Sequence, residues 1–212
     1  MNTQDYILKK FNLEYNETTP MPIEIPNVGR ENLAKWLHEL NFKSGVEVGV
    51  AEGYFSEIIC QANPQMAVYG VDAWEPYDGY PDYQTQAILQ SMHKKALDCL
   101  AKYPNYKIIK TWSIDAAKQF EDASLDFVYI DANHSKPYIT QDIEEWSKKV
   151  RPGGIISGHD YVHWRKQDYK VIEAVREYIQ KNNISPYFVL GLRQKLSGLI
   201  RDDSRSWMWV KP

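Results

Sequence analysis

The stretch Gly45-Val-Glu-Val-Gly-Val-Ala-Glu-Gly53 decides the fold. Residues 45–50 are a short apolar run of strand type and a helix pattern opens at Tyr54, so the glycines fall in a strand-to-helix junction. Backward from it, Leu33, Trp36, Leu37 and Leu40 recur at spacings of three and four, an amphipathic helix starting at Arg30. Forward, strand patterns over 66–72, 107–110, 125–131 and 155–157 alternate with helix patterns over 54–62, up to Leu100, 114–120 and 137–149. Five strand–helix units in a row predict an α/β class with a mostly parallel sheet covered on both faces, because right-handed crossovers lay their helices over the sheet. Arg151-Pro-Gly-Gly154 reads as a turn before the fifth strand. After a helix over 169–181, the runs 187–190 and 206–210 read as an antiparallel edge hairpin. Trp207 and Trp209, two apart, share one face of that hairpin and read as core or edge cover.

With 43% hydrophobic and 25% charged residues in 212, the chain is neither collagen-like nor disordered. Residues 1–29, punctuated by Pro20, Pro22 and Pro26, read as an N-terminal extension to a domain spanning 30–212, and as a candidate cover for the acceptor pocket or contact in a homo-oligomer. A net charge of −3 argues against a nucleic-acid partner. The absence of a signal-peptide pattern and of a long apolar run leads us to expect a cytoplasmic protein with no membrane association. Cys60 and Cys99, each in a helix pattern, are expected to be buried reduced thiols.

The junction loop predicts a ligand. Glycines let a ligand approach the backbone, and a helix N-terminus offers free N–H groups. A dinucleotide fingerprint would place glycines at 49, 51 and 54, where this chain has Gly49, Ala51 and Tyr54, so an NAD-dependent oxidoreductase is the weaker alternative. Glu47 at the strand end would repel a pyrophosphate and attract an ammonium. Asp72 closes the second strand, where a carboxylate can take both hydroxyls of a ribose or else cap a turn. Trp112 and Ser113 follow the third strand, where a ring and a hydroxyl would flank a base, although Ser113 or Asp115 could instead cap the next helix. Taken in order, these residues describe a site for an adenosine carrying a charged amino-acid arm, which is S-adenosylmethionine.

Glu47-Val-Gly-Val-Ala-Glu-Gly53, Asp72 and Arg151-Pro-Gly-Gly154 resemble the successive motifs of class I S-adenosylmethionine-dependent methyltransferases, over roughly residues 30–212. The resemblance implies a Rossmann-like, doubly wound, mostly parallel seven-stranded sheet with an antiparallel last strand. It implies a cofactor site built from Glu47, Gly49, Gly53, Asp72, Ala73, Trp112, Ser113 and Asp131, with Glu47 on the methionine amino group and Asp72 on the ribose.

Asp131 and Asp160 end the fourth and fifth strands, so a parallel sheet delivers both carboxylates to the edge that carries the cofactor loop. Two converging carboxylates suit a hard divalent cation such as Mg²⁺, which would lower the pKa of an acceptor hydroxyl. His134 titrates near neutrality and is the candidate general base, and His159 is a candidate third ligand beside Asp131 and Asp160. The bland alternatives are a surface histidine at 134, an imidazole at 159 bonded to a backbone carbonyl, and capping carboxylates without metal. Asp131-Ala-Asn-His134 with Gly158-His-Asp-Tyr161 is similar to the macrocin O-methyltransferase branch, sugar-modifying enzymes in which acids at these strand ends hold a divalent metal beside a histidine base. This chain departs at His159, where that branch commonly has a second acid. The run 72–83 alternates rings with carboxylates, as sugar sites do, and points to a glycan or other small-molecule hydroxyl acceptor; a lid over the cofactor is the other reading. N-methylation and a binding module without turnover stay open as alternatives.

Overall fold

The computed structural model describes residues 2–76, 85–163 and 169–212. In chain order its elements are α1 (Thr3–Lys10), β1 (Ile23–Ile25), α2 (Arg30–Glu39), β2 (Ser44–Val48), α3 (Tyr54–Ala62), β3 (Ala67–Asp72), α4 (Gln86–Leu100) and β4 (Tyr106–Lys110). There follow α5 (Ser113–Ala117), β5 (Leu125–Ile130), α6 (Lys136–Lys149), β6 (Val150–Gly158), α7 (Val171–Lys181), β7 (Tyr187–Leu190) and β8 (Trp207–Val210). The strands form one sheet in the order β1-β7-β8-β6-β5-β2-β3-β4, parallel except for β8, which runs antiparallel to both β6 and β7. This is the α/β, Rossmann-like, doubly wound fold with an antiparallel C-terminal pair of strands.

Three details differ from the expectation. Among the described residues the sheet has eight strands, because Ile23-Glu-Ile25 of the N-terminal segment pairs in parallel with β7 and buries both isoleucines. The β7–β8 pair is not at the edge: β8 is inserted between β6 and β7, with β1 outermost. That interior position explains the strand's composition, since Trp207 and Trp209 stack at 5.1 Å in the core on one face while Met208 is buried on the other. Finally, Arg151-Pro-Gly-Gly154 is not a separate turn but the irregular start of β6, where the register against β5 shifts. A Cβ at Gly154 would lie 2.6 Å from the Asp126 carbonyl oxygen, so the close approach of β5 requires glycine. Asp126 is tolerated inside β5 because its carboxylate accepts from the Lys43 and Ser44 amides at 2.6 and 2.9 Å and from Arg151 Nε at 2.6 Å.

One face of the sheet is covered by α1, α2 and α3, around Ile7, Leu33, Leu37 and Phe55; the other is covered by α5, α6 and α7, around Ile143, Trp146 and Val175. Of the two cysteines, Cys60 is buried and Cys99 only half-buried; both are free. Among the described residues no helix is long and apolar enough to cross a membrane.

What positions the site is the strand order. The chain leaves β2 for β3 and β4 on one side, then returns to lay β5 on the other side of β2. Connections diverging from neighbouring parallel strands open a crevice outside their carboxyl ends, here between β2 and β5.

Candidate active site

A cavity of about 730 Å³ occupies that crevice, a size in the range of small-molecule sites. Its walls include Glu47, Gly49, Asp72, Ala73, Trp112, Ser113, Asp131, His134 and His159. Gly53 and Asp160 do not line it: Gly53 caps α3 against Leu100, and Asp160 lies behind the two histidines.

The loop from β2 to α3 is held by Asp72. Its Oδ2 accepts from the Val50 and Ala51 amides, both at 3.0 Å, and its Oδ1 accepts from the Trp74 amide at 2.8 Å. Burial pushes its pKa up and the three backbone donors pull it down, with a net rise. The turn-capping role foreseen as the alternative is therefore present, and the cavity-facing carboxylate keeps lone pairs for a ligand. Gly49 has φ +93°, and a Cβ there would overlap the Asp131 carbonyl oxygen and come within 2.5 Å of its carbon. The cradle is open because β2 and β5 meet at a residue without a side chain.

Glu47 is 2% exposed and accepts a hydrogen bond from the Ser56 hydroxyl, which is itself 2.7 Å from the Tyr106 hydroxyl. Burial, partly offset by Ser56, pushes its carboxyl up to about 8. At the other end of the cavity Trp112 is 41% exposed, and Ser113 donates to the buried Asp142 while accepting from Trp146 Nε1 at 2.9 Å. The N-cap of α5 is Trp112 and Asp115 pairs with Lys118, so Ser113 faces the cavity instead of capping its helix.

Four side chains converge around His134 and His159 of the cavity wall. His134 Nε2 lies 2.9 Å from Asp160 Oδ2 and 3.6 Å from Asp131 Oδ1. His159 Nδ1 lies 3.4 Å from Asp160 Oδ2 and 3.6 Å from Asp131 Oδ2. The imidazole of His159 thus faces carboxylates and not a backbone carbonyl, and His134 is no surface residue, being stacked on Tyr169 with centroids 4.4 Å apart. Burial alone would raise the pKa of Asp160; the two histidines instead hold it well below the usual carboxylate range. Burial would lower His159, but the charges of Asp131 and Asp160 raise it above the ordinary imidazole value. Asp160 adopts φ +57°, a left-handed backbone uncommon for a residue with a Cβ. Ligand atoms of Asp131, His134 and Asp160 all lie within 4.8 Å of one another, so the metal-competent set includes His134, the expected base, where His159 was expected.

A model of the methyltransferase domain family matches residues 46–161, more than half of the chain. The chain belongs to the methyltransferase domain family. Among solved structures, the methyltransferase is similar to the O-methyltransferase TomG from Streptomyces achromogenes in complex with S-adenosylmethionine, with TM-score 0.59 and 16% identity over 97% of this chain and 86% of that one. It is likewise similar to an O-methyltransferase from Bacillus cereus in complex with S-adenosylhomocysteine, with TM-score 0.59 and 16% identity over 99% and 90%. Cofactor-bound Rv0187 from MTB matches with TM-score 0.58 and 14% identity over 86% and 79%. A curated relative, the uncharacterized protein y4gI of Sinorhizobium fredii, is 24% identical over 59% of the chain; the match spans 14% of that protein's length.

Two cavity residues of the methyltransferase escaped the sequence reading. Arg30, seen there only as a helix start, puts NH1 3.2 Å from Asp131 Oδ2 and lies over the rings of Tyr54 and Phe55. Nothing in the local sequence marks it, because the contact joins residues 101 positions apart. Asp142 did leave a signal: it shares the buried helical stripe of Ile139, Ile143 and Trp146, an unusual place for an acid. The aromatic loop is partly corrected. Trp74 is 1% exposed, stacks on His93 at 4.4 Å and donates Nε1 to the Ala51 carbonyl at 2.9 Å, so its ring braces the loop. The rest of that run, residues 77–83, lies outside the described residues, as does Trp164, and His163 is exposed.

Proposed function

We propose that the protein is an S-adenosylmethionine-dependent O-methyltransferase acting on a hydroxyl of a small molecule or glycan. The observation that carries this reading is the continuity of one cavity from the Gly49 cradle to His134, which lies 2.9 Å from Asp160. S-adenosylmethionine supplies a sulfonium methyl carbon to which a hydroxyl oxygen can bond as the carbon–sulfur bond breaks. Glu47, Gly49, Asp72, Ala73, Trp112, Ser113 and Asp131 line the recess it would fill, and Gly53 sets the helix that closes the loop. Glu47 and Asp131 would hold its methionine ammonium and Asp72 its ribose. His134 takes the proton of the attacking hydroxyl, and Asp160, 2.9 Å from Nε2, steadies the resulting imidazolium.

The donor set also fits a divalent cation. Asp131 and Asp160 would hold it with an imidazole beside them, and Mg²⁺, when bound, would polarise the acceptor oxygen. A second, metal-free reading has its own support: Arg30 pairs with Asp131 and the imidazoles of His134 and His159 face Asp160, so both acids already have partners. A sugar acceptor rests on the resemblance to the macrocin branch and on residues 77–83. We likewise propose a cytoplasmic location and assembly into a homo-oligomer.

Calorimetric titration with S-adenosylhomocysteine, with and without Mg²⁺, tests the cofactor reading, and an acceptor screen starting with sugars follows. Absence of binding in both conditions would refute it. Turnover of amines but not hydroxyls would replace O- by N-methylation.

A further inference from the structure

The loop that delivers His134 is fixed at both its backbone and its ring. Asn133, buried just before it, accepts at Oδ1 from the Ser135 amide and the Ser135 hydroxyl, both at 2.9 Å, which sets the turn into α6. The His134 carbonyl accepts from the Lys170 amide at 2.9 Å. The imidazole has Nε2 2.9 Å from Asp160 Oδ2, and its face lies against the ring of Tyr169, with centroids 4.4 Å apart and planes 29° from parallel. Two successive residues ahead of α7 therefore meet the same histidine, one through its backbone and one through its side chain.

These contacts restrain different freedoms. Backbone hydrogen bonds fix where the side chain starts but leave its torsions free, and the second torsion of a histidine is broad, with little preference of its own. A carboxylate at one nitrogen sets the direction of the ring but not its rotation about the N···O line. A second ring laid on the imidazole face removes that freedom, because turning the imidazole would drive its edge into Tyr169. Tyr169 is itself firmly mounted: it precedes Lys170, the N-cap of α7, and the first turn of that helix is anchored by the buried Val171 and Ile172. His134 lines the cavity and Tyr169 does not, so the tyrosine acts on the reaction only through the histidine.

We propose that Tyr169 is a positioning residue for methyl transfer, its ring clamping the His134 imidazole in the orientation in which it receives the acceptor's proton. The inference rests on the reading of His134 as the base and adds a residue which that reading does not contain. A misaligned base slows the chemical step and leaves cofactor binding untouched, since a displacement of about 1 Å can cost about 10²-fold in rate. A ring with a merely structural role would change cofactor affinity and rate together.

The test compares Tyr169→Phe and Tyr169→Leu with the wild type in the full chain, using a hydroxyl acceptor from the screen above. Phenylalanine keeps the stacked face and should keep the wild-type kcat. Leucine has no planar face and should lower kcat by about 10–100-fold, with KM for S-adenosylmethionine and affinity for S-adenosylhomocysteine unchanged. Tyr169→Met serves if the leucine variant fails to fold, with the same loss expected. Nuclear Overhauser cross-peaks between the ring protons of Tyr169 and His134 are expected in the wild type, a measurement that needs neither an acceptor nor a variant. Absence of those cross-peaks overturns the proposal. So does a leucine variant with wild-type kcat, a phenylalanine variant as slow as the leucine one, or a fall of kcat and S-adenosylhomocysteine affinity together. Turnover that survives His134→Ala, or a wild type that methylates no hydroxyl acceptor, removes the base reading itself, and the inference with it.

Discussion

Gly49→Ala is the substitution whose cost the structure defines best. Two terms act. Gly49 sits at φ +93°, and forcing a residue with a Cβ into left-handed backbone costs about 1–2 kcal/mol. The new Cβ would also overlap the Asp131 carbonyl and stand 2.9 Å from the Ala132 nitrogen. These neighbours are backbone at the end of β5 and cannot swing aside, so overpacking adds about 1–3 kcal/mol. The expected destabilisation is therefore about 2–5 kcal/mol. Gly198→Ala separates the two terms, because Gly198 has φ +80° but nothing within 4 Å of its Cβ position. It should lose only the conformational part, about 1–2 kcal/mol. Urea unfolding of the three proteins reads the difference directly, provided the m-value is unchanged. Because relief of the overlap must part β2 from β5, S-adenosylhomocysteine affinity should fall for Gly49→Ala and stay intact for Gly198→Ala. Equal destabilisation by the two substitutions would refute the claim that a close β2–β5 approach makes the cradle.

Further outcomes are expected at the charged groups. Glu47 has its folded pKa raised to about 8 above an unfolded value near 4.3, so the folded state holds the extra proton between those values; stability contributed there is present at low pH and lost as pH rises toward 8. Glu47→Gln should flatten the fall in stability between pH 5 and 8 measured by chemical denaturation, and an unchanged slope would exclude Glu47 as its source. His134→Ala should lower turnover by about 10²–10⁴-fold and remove the base limb of the pH–rate profile, whereas a profile with that limb intact would assign the proton to another group. Asp160→Ala should abolish metal-dependent turnover while leaving S-adenosylhomocysteine affinity nearly unaltered; wild-type activity that persists in chelator favours the metal-free arrangement of His134 and Asp160.

The alternation of strands and helices was legible because each element carries its own period. Tyr54–Ala62 and Tyr187–Leu190 match the structure residue for residue, as expected where burial of one stripe or of a whole strand dictates composition. The carboxylates at strand ends were legible for a related reason: parallel strands bring all their carboxyl ends to one edge, so sequence position becomes spatial position. Strand order carries no such local signature. That Trp207-Met-Trp209 belongs to an interior strand, and that Ile23-Glu-Ile25 supplies the edge, depends on pairings between segments distant in sequence, Ile23 with Phe188 above all. The same holds for side-chain roles. Trp74 lies in the run 72–83 read as a sugar-binding loop, yet its ring is buried and its Nε1 donates to the Ala51 carbonyl.

The sequence by itself determined the α/β class, the position of the strand-to-helix loop at Glu47–Gly53, and the meeting of Asp131, His134, His159 and Asp160 at one edge, because period and strand direction are local properties of the chain. Only the tertiary structure decided that Arg30 pairs with Asp131, that His134 lies nearer Asp160 than Asp131, and that Asp142 joins the cavity wall bonded to Ser113. Those facts depend on distances of a few ångströms between side chains on different elements, which packing of the whole chain sets and no single segment encodes.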